Sequence, residues 1–135
     1  MASAFLIIGS VFLGLAALIH LYIFFLESVI WSKPSTWKTF GLANQADADT
    51  VKPMAYNQGF YNVFLAIGVG VGLVLVGTHT LSQAGLALAI FAGGSMVLAA
   101  VVLITSSPTL ARAAAIQGIA PLVGIIFLVL GIATA

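Results

Sequence analysis

His20 and Glu27 stand seven residues apart in an otherwise apolar run, Ala4 to Ile30. A carboxyl group there can attract a cation, exchange a proton or act as a general acid or base, and an imidazole can relay a proton. Further on, Asn57, Gln58, Tyr61 and Asn62 form a short polar cluster, and Gln117 is an isolated amide in another apolar run. Amides and phenols donate hydrogen bonds to a carboxylate, and Trp31 and Tyr61 offer aromatic faces to a cation. The chain has no cysteine, which excludes disulfides, thiolate metal sites and Cys nucleophiles. His79 is far from His20 in sequence and no third ligand accompanies either, so no metal and no cofactor is expected. Nucleotide loops, Ser-His-Asp sets and haem-attachment motifs are absent.

The elements that must carry these groups follow from composition. Of 135 residues 62% are hydrophobic and 5% charged, against about a quarter charged in a soluble domain. So few charges cannot solvate a globular surface, and a net charge of +1 gives no reason to expect nucleic acid as a partner. The apolar blocks reach or approach the ~20 residues that a helix needs to cross a bilayer. Strand alternation is missing, and an open sheet edge cannot exist in lipid. The expected fold is therefore all-α: a polytopic membrane four-helix bundle forming one domain over residues 1–135. Its spans are expected at about 4–31, 56–77, 82–106 and 109–133. The first span has no basic leader and too long an apolar core for a cleaved signal peptide.

All four cations sit in two connections: Lys33, Lys38 and Lys52 in the polar segment 32–55, and Arg112 between spans three and four. The positive-inside rule places both connections in the cytoplasm and both termini outside. Ser32, Pro34, Trp37 and Phe40 fit a short interfacial helix, and an extended loop fits equally well. Asp47 and Asp49 read as solvated carboxylates, since hard cations want more oxygen ligands. Val29–Thr36 aligns loosely with Leu103–Leu110, and Gln58–Gly68 with Gln117–Phe127, as a parallel repeat of two helical hairpins would. Small residues at four-residue spacing (Gly68 and Gly72; Gly85, Ala89 and Gly93; Ala120 and Gly124) supply faces for close helix packing.

Helical rise then sets depth. Counted from Pro34, Glu27 lies ~10 Å deep and His20 ~20 Å. Tyr61 and Asn62 lie ~10–12 Å in from Met54, and Gln117 a similar distance beyond Thr109. His20, Glu27 and Trp31 share one helical stripe, with Phe24 between. The polar groups therefore converge in the cytoplasmic half of the membrane around Glu27. That convergence reads either as a ligand or proton site or as a polar network that locks the helices in register. His20 reads first as a neutral residue bonded to a neighbour, with a proton relay as its functional alternative.

ESVIW in the first span, together with NQGFYNVFLA opening the second, resembles the bacterial domain-of-unknown-function 1304 family of small four-span integral membrane proteins. The resemblance covers essentially the whole chain, and Gln58-Gly59-x-Tyr61-Asn62 is its most specific run. It implies a four-helix membrane fold in a bacterial inner membrane and carries no activity. Three functions remain open. One is binding or transport of a small amphipathic or cationic molecule by Glu27, Trp31, Asn57, Gln58, Tyr61, Asn62 and Gln117, within the lipid bilayer and as a homodimer. Another is an embedded enzyme that isomerises a lipid-like substrate by acid–base chemistry. The third is an accessory subunit in which the polar layer only fixes packing.

Overall fold

The computed structural model describes residues 1–78 and 80–135; the side chain of Ala2 and all of His79 lie outside the described residues. The chain folds as α1 (Ala2–Phe24), a π-helical turn (Phe25–Val29), α2 (Pro34–Thr39), α3 (Gln45–Val76), α4 (Ser82–Ser106), a 3-10 turn (Pro108–Leu110) and α5 (Ala111–Ala133). Four helical segments, Ser3–Val29, Gln45–Val76, Ser82–Ser106 and Pro108–Ala133, are long and apolar enough to cross a membrane. The protein is thus a multi-pass, all-helical membrane protein. The four long helices close a ring in the order α1, α3, α4, α5, with α1 packed on both α3 and α5.

Glycines set the spacing in that ring. A Cβ at Gly124 would meet Leu13 Cγ at 2.8 Å, and one at Gly131 would meet Leu6 Cγ at 2.8 Å, so α5 lies directly under the leucines of α1. Between α3 and α4, a Cβ at Gly72 would meet the Ala89 nitrogen at 2.7 Å. Such backbone proximity gains dispersion contacts where lipid supplies no hydrophobic drive. Leu13, Val69, Met96 and Leu128 fill the centre.

The segment expected as a loop at 32–55 is mostly helical. Pro34 sits at the start of α2, where its fixed φ suits the first helical turn. Gly41 ends α2 at φ 81°, with Gly41 N–H donating to Lys38 O and Leu42 N–H to Trp37 O, the paired bonds of a glycine C-cap. Asn44 then caps α3: its Oδ1 accepts from Asp47 N at 2.9 Å while its Nδ2 donates to Asp47 Oδ2 at 2.7 Å. Helix α3 therefore starts at Gln45 rather than near 56, and Pro53 lies inside it. Asp49 accepts from Gln45 Nε2 at 2.9 Å, so both acids belong to the first turns of a helix. This lobe has its own small core of Trp31, Trp37, Ala48 and Ala55.

Candidate functional site

The first span does not stay α-helical to its end. Ile30 N–H donates to Phe25 O at 3.1 Å, five residues back, which closes the π turn over Phe25–Val29. A π turn holds one residue more than an α turn, and such turns gather at functional positions. Glu27 lies in it and is buried, at 7% exposure.

Helix α3 meets this turn at Gly59. A Cβ there would collide with Ser28 Oγ and lie 3.2 Å from Glu27 Cβ, so only glycine fits without displacing the turn. Ser28 Oγ donates to Tyr56 O at 2.9 Å and pins the turn to α3. One turn further along α3, Asn62 Nδ2 donates to Glu27 Oε2 at 3.0 Å and to Gln58 O at 3.0 Å. One amide thus holds the carboxyl group and anchors itself to its own helix. No second hydrogen bond reaches the Glu27 carboxyl among the described residues.

The other expected members of the site go elsewhere. Trp31 lies past the end of the π turn at Val29, and its side chain is committed to the lobe. Its Nε1 donates to Ala48 O at 2.9 Å, and its ring packs 5.2 Å from that of Phe40, inside the lobe. Asn57, Gln58 and Tyr61 are exposed on α3, Tyr61 at 59%. They lie off the face formed by Ala55, Gly59, Ala66 and Val69.

Gln117 is not level with Glu27. Leu6 on Gly131 and Leu13 on Gly124 fix the α1–α5 register in steps of seven. Continued one step further, that register brings His20, and not Glu27, to the level of Gln117. His20 is fully buried, with Nδ1 2.9 Å from Ala16 O. Two shallow furrows lie away from Glu27, one along Leu6, Ser10 and Val76 and one between α4 and α5 along Ala100, Ala114 and Gly118. His79 lies outside the described residues, and no group of three potential metal ligands occurs among the rest.

Sequence reasoning named Asn62 as one donor among several and missed Gly59 and Ser28. Their signal was present: Gly59 and Asn62 are three apart, hence on one helix face, with Ser28 next to the acid.

Residues 14–129 match the family model described as "Protein of unknown function (DUF1304)". The chain belongs to that family. No curated protein and no solved structure gives a match. The matched DUF1304 region holds the π turn, the lobe, all of α3 and α4, most of α5 and about half of α1.

Proposed function

We propose that this DUF1304 protein binds a small amphipathic or cationic molecule at the charged end of its bundle, with the Glu27 carboxylate as the receiving group. One observation carries the reading. A carboxyl group, almost wholly buried, receives a single hydrogen bond from a neutral amide, and no cationic side chain pairs with it among the described residues. A carboxylate offers about four lone-pair positions, and one left in lipid without neutralisation costs a few kcal/mol. An ammonium head would occupy the free oxygen and supply the missing charge. Its apolar tail would lie along lipid-facing side chains of α1 and α3, with Tyr61 and Phe64 exposed there. A ligand arriving at this face would also meet Asn57 and Gln58. In this reading the lobe and its lysines face the cytoplasm of a bacterial inner membrane, and the unit works as a homodimer.

The repeat belongs to the same proposal. Pro34 and Pro108 each open a short helical segment after a span, and Gly59 and Gly118 each pack against the span that precedes their own. The acid then distinguishes the first hairpin from the second.

The test is direct binding of decylammonium to the protein in lipid nanodiscs, followed by calorimetry, with decanol as the uncharged control. Wild type is expected to bind the ammonium and not the alcohol, and Glu27→Gln to lose at least ~10-fold in affinity while keeping its helical content. At ~1.4 kcal/mol per decade, that loss is the size of one hydrogen bond to a charged group. Equal affinity in wild type and Glu27→Gln would overturn the reading.

A further inference from the structure

A second polar layer lies one heptad deeper than Glu27, and the proposed ligand does not account for it. Along the α1–α5 seam, Leu6 sits on Gly131 and Leu13 on Gly124. Continued to a third step, that register brings the imidazole of His20 to the level of Gln117. His20 Nδ1 lies 2.9 Å from Ala16 O, an acceptor only, so in the neutral ring Nδ1 carries the proton and Nε2 presents a lone pair. That Nε2 is fully buried and has no hydrogen-bond partner.

The same layer holds a second unpaired acceptor, created by the backbone of α5. Pro121 is fully buried within the helix and has no N–H, so the carbonyl four residues earlier, that of Gln117, loses its α-helical donor. Gln117 and Pro121 share the face of α5 that carries Gly124, Leu128 and Gly131, the face turned to α1. Two acceptors in one buried layer cannot satisfy each other, and in lipid each orphaned group costs free energy. A molecule with two O–H donors satisfies both. The half-buried Gln117 side chain, which makes no hydrogen bond among the described residues, can donate to the oxygen of that molecule.

We propose that His20 Nε2, the Gln117 carbonyl and the Gln117 amide bind one buried water molecule in the mid-membrane layer of the α1–α5 seam. Its three contacts are the usual number for a structural water. The site stands whether or not Glu27 binds a ligand, since none of its groups touches the carboxylate.

The experiment uses the full chain in phosphatidylethanolamine–phosphatidylglycerol bilayers, with nitrogen-15 histidine and His79→Gln so that one imidazole remains. Solid-state NMR is expected to show an unprotonated Nε2 and fast magnetisation transfer to it from water. Pro121→Ala returns a donor to the Gln117 carbonyl, and Gln117→Leu removes the amide. Each is expected to slow the transfer at least ~3-fold at unchanged helical content. Glu27→Gln is expected to leave it intact, which keeps this result separate from the ammonium assay. No water transfer in wild type, transfer unchanged in both seam variants, transfer lost in Glu27→Gln, or a direct Gln117 amide contact to Nε2 would each overturn the proposal.

Discussion

Between α3 and α4, Gly85 packs against the Val76 nitrogen and lies under the Gly72 carbonyl, and Gly72 packs on the backbone of Ala89. Between α1 and α3, Gly59 packs against Ser28, and the contact is closed by two interhelical hydrogen bonds, Ser28 to Tyr56 and Asn62 to Glu27. One interface is apolar and built from backbone and methyl groups; the other holds an acid, an amide and a hydroxyl. Both bring helices close through glycine. The α3–α4 pair therefore demonstrates that this fold does not need a carboxyl group to achieve close packing. Glu27 brings an insertion cost that an alanine would avoid.

The largest effect that would test this contrast is expected at the apolar interface. Gly85→Ala places a Cβ against backbone atoms that cannot move aside, and should cost ~3 kcal/mol in unfolding titrated with denaturing detergent. Asn62→Leu comes next. It strips the carboxyl group of its one donor and should cost ~1–3 kcal/mol in the same titration. If Asn62→Leu were silent while Glu27→Ala was severe, the hydrogen bond would not be what holds the acid.

Gly59→Ala should cost ~1–2 kcal/mol, because the obstacle is chiefly the end of a short side chain. Ser28→Ala should recover part of that loss in a double-mutant cycle. No comparable trimming is available for Gly85→Ala, so the pair of cycles distinguishes a side-chain obstacle from a backbone one. The smallest effect belongs to Gly70, on the same helix as Gly59 and Gly72 but with nothing within 4 Å of a Cβ. Gly70→Ala should be neutral or stabilising by less than ~1 kcal/mol. A large loss there would mean that the helix spacing is not set by the named glycines.

The four spans were legible because hydropathy reports directly on lipid. The true start of α3 was not, for the same reason: Gln45–Lys52 is helix in a polar segment, and hydropathy is blind to a helix in water. Its signals were the Asn44 cap and Asp47 three residues on; Asp47 was read, with Asp49, as a solvated loop carboxylate. At the site, Glu27 and Asn62 were legible from depth and spacing. Trp31 was read as an aromatic face for a ligand, but its indole N–H and ring are taken up by Ala48 and Phe40 inside the lobe, a partnership that only the helical course of 45–55 creates. For Gln117, depth was counted from Thr109, whereas the register of Leu6 on Gly131 and Leu13 on Gly124, continued by one step, brings it to the level of His20. Contact register across a seam is a property of two helices and cannot be counted along one.

The π turn has a consequence for how this protein could change. The orientation of Glu27 depends on one extra residue between Phe25 and Val29 as well as on its own identity. Removing Leu26 would close the turn to α periodicity; residues beyond it would keep their direction, because the π turn is what absorbs the extra residue, and the side chains inside the turn would be re-aimed. The acid would leave Asn62 and point elsewhere, with every polar residue of the chain still present. For this molecule the length of a single turn is as specific an instruction as the choice of glutamate.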